Sequence, residues 1–168
     1  MTPAAGHLEG SVFVFPVRVY YEDTDAAGIV YFANYLKYAE RARSEYLRTL
    51  GIDQIDLRNE RGIFFAVHRA EIEYLRPAKL DDLLSVTAEL VFMSHVRFDA
   101  EQSVRRGTEV LARVFTRVVC LSNDGRPARL PKDLHELFLP LVRPKTDELA
   151  ASGIRQPVTQ NVEPARRG

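Results

Sequence analysis

The feature that most constrains the fold is a single long helical periodicity set in a chain that otherwise alternates like strand. From residue 32 to 50, apolar side chains at Phe32, Tyr35, Leu36, Ala39, Ala42, Tyr46, Leu47 and Leu50 recur at three- and four-residue steps, and Gly51 supplies a stop. Ahead of this segment, Phe13, Phe15, Val17, Val19 and Tyr21 form one apolar face of a strand, with Pro16 marking an edge or bulge because it lacks an N–H. Behind it, alternation predicts four more strands near residues 64–76, 84–92, 96–101 and 110–121, and a short helix over 130–138 with Pro131 in its first turn. The residues between 53 and 62 read as a polar connection. One helix cannot cover both faces of a five-stranded antiparallel sheet, but a strongly curved sheet wraps around it on one side. The expected class is therefore α+β, and an open strand edge invites pairing with a second copy of the chain.

Composition narrows the function classes. At 168 residues the chain has room for one domain, expected over 12–140, which buries roughly 70% of its unfolded surface. Lysine plus arginine and aspartate plus glutamate both number 23, so no net field draws in nucleic acid or an anionic membrane. Cys120 stands alone and His7, His68, His95 and His135 are scattered, so neither a disulfide framework nor a spaced zinc site can be written. Residues 1–11 are small and polar and are expected to be flexible; 141–168 read as a poorly ordered tail. No stretch has the basic start and apolar core of a secretion signal, and none approaches a membrane span, so the protein is expected in the cytoplasm.

The chemistry gathers where the first strand leads through an acidic turn, Glu22-Asp-Thr-Asp25-Ala-Ala-Gly28, into the helix. The first N–H groups of a helix lack intrahelical partners and carry partial positive charge. Such a junction can hold a developing oxyanion while a carboxylate acts on the same carbon. The plainer reading is that Asp23, Thr24 and Asp25 are turn and capping residues and Glu22 a solvated acid. Arg43 falls within about 20° of the middle of the helix's apolar stripe. Either its stem snorkels to a neighbour such as Glu40, or it is buried against a carboxylate. His68 falls on the inner parity of its strand, where a hydrogen-bonded core histidine is the commoner outcome.

Val19-Tyr-Tyr-Glu-Asp-Thr-Asp25-Ala-Ala-Gly28-Ile-Val-Tyr31, followed by Asn34-Tyr-Leu and Glu40-Arg-Ala-Arg43, resembles the hot-dog-fold acyl-CoA thioesterases of the 4-hydroxybenzoyl-CoA thioesterase superfamily, most closely the branch associated with the Tol-Pal system. The likeness extends more loosely through Leu75-Arg-Pro77 and Leu80-Asp-Asp82 to about residue 140. It implies a hot-dog fold, dimers often assembled into tetramers with sites at subunit interfaces, and hydrolysis of acyl-CoA to free acid and CoA without metal or organic cofactor. It places the catalytic carboxylate at Asp25 and the thioester-polarising backbone donors near Tyr31 and Phe32. Many members of the branch carry histidine where this chain has Phe32, which leaves the acyl preference open.

Asp25 can serve as nucleophile through a mixed anhydride or as general base on water, and the sequence does not choose. Glu40 is a second carboxylate to weigh, since other hot-dog branches carry their acid on the central helix. Tyr21, Gly28, Tyr35 and His68 are candidates to line the substrate site, with Tyr38 a further aromatic. Arg105, Arg106, Arg126 and Arg129 are candidates for the CoA phosphates, each also readable as a solvated charge. An aromatic (hydroxybenzoyl- or dihydroxynaphthoyl-) CoA thioesterase and a non-catalytic module binding acyl-CoA or acyl-carrier protein are the competing readings.

Overall fold

The computed structural model describes residues 6–144. Six antiparallel strands form one sheet: β1 (His7–Glu9), β2 (Val12–Arg18), β3 (Ile63–Tyr74), β4 (Leu83–Met93), β5 (Arg97–Arg106) and β6 (Glu109–Ser122), in the order β1-β2-β4-β5-β6-β3. The long helix α1 (Asn34–Thr49) packs against β2, β4, β5 and β6, so the sheet wraps it as the periodicity predicts. Two shorter helices, α2 (Gln54–Arg61) and α3 (Lys132–Phe138), complete the α+β hot-dog architecture.

The buried faces follow from strand parity. Leu84, Val86, Ala88 and Leu90 of β4 and Val114, Val118 and Cys120 of β6 point inward. They meet Tyr35, Tyr38, Ala39, Ala42 and Tyr46 on the inner stripe of α1. Pro16 is accommodated because β1 pairs only with Val12 to Val14, leaving β2 an edge strand where the N–H is missing.

Four expectations need correction. The sheet has six strands rather than five, because His7–Glu9, assigned to a flexible N-terminus, pairs with β2. The polar connection is helical: Asp53 caps α2 by accepting from the Ile55 and Asp56 amides, and Gly62 ends it at φ +67°. Only Leu57 of α2 is buried, so hydrophobic periodicity gives almost no signal there. His68 is not on the inner face: the β3–β6 register slips between Val67 and Arg69, leaving His68 the exposed extra residue of a bulge. A bulge reverses parity, so Phe65 and Val67 face the helix before it and Ile72 and Tyr74 after it. Finally, part of the assigned tail is fixed: Val142 bridges to Leu90, and Arg143 pairs with Glu89 and Glu101. The remainder of the assigned tail, 145–168, lies outside the described residues, as do 1–5.

Candidate active site

The acidic turn is a small two-armed ladder. Thr24 bridges to Val30, the Asp25 amide donates to Ile29 O at 3.0 Å, and the Tyr31 amide donates to Asp23 O at 2.9 Å. Gly28 closes the tip at φ +73°, a left-handed conformation that side-chain-bearing residues resist. This pairing folds Asp25 back alongside the entry to α1. The Asp25 carboxylate is exposed, and its Oδ1 accepts from the Ala27 amide at 2.8 Å; its Oδ2 has no partner among the described residues. A local turn contact thus fixes the carboxylate without consuming it.

Asp23 has the structural role expected of it. It is 8% exposed, its Oδ2 accepts from the Tyr20 amide, and its carbonyl accepts from Tyr31 N and from Asn34 Nδ2 at 2.8 Å. The Tyr38 hydroxyl is buried beside it without a well-formed hydrogen bond. Burial first, and the Asp23 charge second, push that phenol well above the ordinary tyrosine range.

At the helix start, no side chain caps α1. Tyr31 N is taken by Asp23 O, Tyr31 O by the Asn34 amide, and Phe32 O by the Tyr74 hydroxyl at 2.8 Å. The amides of Phe32 and Ala33 donate to nothing among the described residues. Tyr31 is thereby removed from the pair of expected donors, because its N–H already closes the turn. Phe32 remains, joined by Ala33, which the sequence reading did not single out; the helical pattern placed the start two residues too early and hid which amides would be left over.

The other candidates divide. Tyr21 is 82% exposed, in the short 3-10 turn ahead of Asp25. Tyr31, Phe32 and Tyr74 form an exposed aromatic cluster, with Phe32 4.7 Å from Tyr31 and 6.4 Å from Tyr74 between ring centres. Tyr35 is instead a core residue: it is 3% exposed and its hydroxyl accepts from the Ala78 amide at 2.9 Å. His68 lies on the bulge of β3, a different element from the acidic turn.

Among the basic candidates, Arg106 bridges Asp82 (2.8 Å) and Glu109 (2.7 Å), Arg105 donates to Ser103, and Arg126 pairs with Asp124 at 3.3 Å. Arg129 is exposed and has no ion pair among the described residues. Of the four, it is the charge most available to a phosphate.

Arg43 fits neither expected arrangement. Its Nη1 donates to Gln102 Oε1 at 2.7 Å and to Thr116 Oγ1 at 3.3 Å, two neutral side chains, and burial lowers the guanidinium's pKa. Glu40 accepts from Ser44 at 2.7 Å instead. Both charged residues border a cavity of about 120 Å³ between α1 and the sheet, walled by Leu47, Phe65, Phe98 and Phe138. Among the described residues, no cluster of three or more metal-ligating side chains occurs, and no helix is long and apolar enough to cross a membrane.

Residues 19–138 match the thioesterase-like superfamily. The acyl-CoA thioesterase YbgC of Haemophilus influenzae is 44% identical over 127 residues, covering 75% of this chain and 93% of that protein. A 1,4-dihydroxy-2-naphthoyl-CoA hydrolase of Nostoc punctiforme is 30% identical, covering 73% of this chain and 83% of that one. Among solved structures, a probable thioesterase from Bartonella henselae superposes with a TM-score of 0.68 at 36% identity, over 71% of this chain and 99% of that one. With a hot-dog sheet around one helix and a pinned carboxylate at that helix's uncapped start, the chain belongs to the thioesterase-like superfamily.

Proposed function

We propose that the protein hydrolyses acyl-CoA thioesters to the free acid and CoA, with Asp25 as the reacting carboxylate and the Phe32 amide, assisted by Ala33, holding the thioester oxygen. The observation that carries this reading is the helix start itself. The Tyr31 amide, the Tyr31 carbonyl and the Phe32 carbonyl are each tied down, while the next two amides have no acceptor among the described residues and follow directly on the hairpin that carries the fixed Asp25 carboxylate. Donors held in place before substrate arrives need no reorganisation as charge develops, and one such donor is typically worth about 10²- to 10³-fold in rate. The Asp25 Oδ2 without a partner among the described residues is available to attack the carbonyl carbon and form a mixed anhydride. CoA leaves as the thiolate, and water then cleaves the anhydride, giving the free acid, restoring the Asp25 carboxylate and supplying the proton that the thiolate takes up.

Turnover on a panel of aliphatic and aromatic CoA esters, run beside Asp25→Asn, tests the reading; full activity in the Asn variant contradicts it. Single turnover in ¹⁸O-water separates the two roles of Asp25, since label in its side chain requires the anhydride. The likeness to the Haemophilus acyl-CoA thioesterase supports acyl-CoA as the substrate class, and the relation to the Nostoc hydrolase makes aromatic esters the second class for the panel. Saturable acyl-CoA binding without turnover would instead indicate a binding module.

The working unit in this reading is a homodimer in the cytoplasm. β3 is an edge strand of 12 residues with one side unpaired among the described residues, and Val67, Tyr74 and Leu75 are exposed on or beside it. An edge this long is a template for a second copy of the chain. Sedimentation equilibrium checks it, and a monomer at micromolar concentration contradicts it.

A further inference from the structure

Resting on the thioesterase reading, we propose that Tyr74 is a positioning residue for the reaction: from β3 it anchors the Phe32 carbonyl and so aims and polarises the Ala33 amide, one of the two free amides that receive the thioester oxygen. Tyr74 lies 42 residues beyond Phe32 and donates its hydroxyl to Phe32 O at 2.8 Å. That carbonyl and the Ala33 N–H belong to one planar peptide unit, so a hydrogen bond on the oxygen fixes the plane in which the N–H points. Hydrogen bonds in series polarise one another, so the same contact makes the Ala33 amide a better donor. On the other side of Phe32, the Tyr31 amide is anchored on Asp23 O. Phe32 is thus clamped from both sides, once by the acidic turn and once by the sheet.

The ring of Tyr74 adds a steric clamp. It meets the Phe32 ring edge-on at 6.4 Å and the Tyr35 ring at 5.5 Å, and Tyr35 is itself fixed by the Ala78 amide. Burial first, and the neighbouring Tyr35 second, raise the Tyr74 phenol above its ordinary value. The chain has no other hydroxyl on Phe32 O among the described residues.

Tyr74→Phe removes the hydroxyl and keeps the ring. The expected result is a kcat about 5- to 20-fold lower at saturating acyl-CoA, with KM within about twofold and an unchanged melting temperature and oligomeric state. Two spectroscopic readouts follow the clamp directly. In the ligand-free protein the ¹³C resonance of the Phe32 carbonyl moves upfield in Tyr74→Phe, as expected when an acceptor loses its donor. On a ketone analogue of acyl-CoA, with CH₂ in place of the thioester sulfur and ¹³C at the carbonyl, the downfield shift seen on binding to wild type shrinks in the variant. An unchanged kcat, a change confined to KM, or equal analogue shifts in the two proteins would each overturn the proposal. A wild type that turns over no ester strikes the thioesterase reading, whereas an active wild type matched by Tyr74→Phe strikes only the role of Tyr74.

Discussion

Replacing Arg43 with methionine tests how the inside of the fold tolerates a charge whose hydrogen bonds go to neutral side chains. Gln102 and Thr116 are 4% and 1% exposed, and Arg43 Nη1 is the donor to Gln102 Oε1. Gln102 Nε2 keeps its bond to Ala39 O at 2.9 Å, so the side chain stays in place and strands its oxygen. A buried acceptor left without a donor costs about 1–3 kcal/mol. Against this, the substitution removes a guanidinium that burial already disfavours, and methionine replaces the stem's packing in the wall of the cavity. The net expectation for Arg43→Met is about 1–2 kcal/mol of lost stability, or a melting temperature lower by roughly 3–6 °C for a domain of this size. Removing both ends should recover part of it, because the Gln102 oxygen then disappears together with its donor. Thermal and urea unfolding followed by circular dichroism, at one protein concentration because association shifts apparent stability, measures both quantities. An Arg43→Met protein as stable as wild type, or an Arg43→Met/Gln102→Leu protein no more stable than the single variant, would refute the reasoning.

Phe32→Pro deletes the proposed oxyanion donor at the second position of the Tyr31–Asn34 turn, a place proline suits; kcat should fall by about 10²- to 10³-fold with the fold retained by circular dichroism, and a normal kcat removes Phe32 N–H from the mechanism. Arg129→Ala should raise KM for acyl-CoA and leave KM for the matching acyl-pantetheine unchanged, whereas an equal effect on both would place Arg129 away from the nucleotide. The Tyr46 phenol, buried and near the Glu89 charge, is pushed up to about 12, and its hydroxyl donates to Ser11 O at 2.9 Å. Because this folded value lies above the unfolded one near ~10, its contribution is complete below about pH 10 and is lost as pH rises towards 12. Melting temperatures across that alkaline window should fall less steeply in Tyr46→Phe than in wild type; parallel curves would contradict the assignment.

What the sequence determined by itself is what local rules can carry. One 3.6-residue period among several two-residue periods requires a single helix against a sheet, and Asp25 and Gly28 mark a turn entering that helix. Which groups at that turn are free depends on contacts with distant parts of the chain. The Tyr31 amide is occupied by a carbonyl eight residues earlier, and the Phe32 carbonyl by a hydroxyl 42 residues later; neither pairing leaves a trace in periodicity. The same holds for His68, whose face was inverted by a one-residue bulge that shifts parity without changing composition. Arg43 shows the limit from the other side. Its place on the apolar stripe was legible, but its partners, Gln102 and Thr116, come from strands paired far along the chain, and only folding brings them together. Local sequence sets which backbone shapes are cheap; which amides, carbonyls and charges remain unmatched is a sum over the whole fold, and at the start of α1 that sum leaves Phe32 and Ala33.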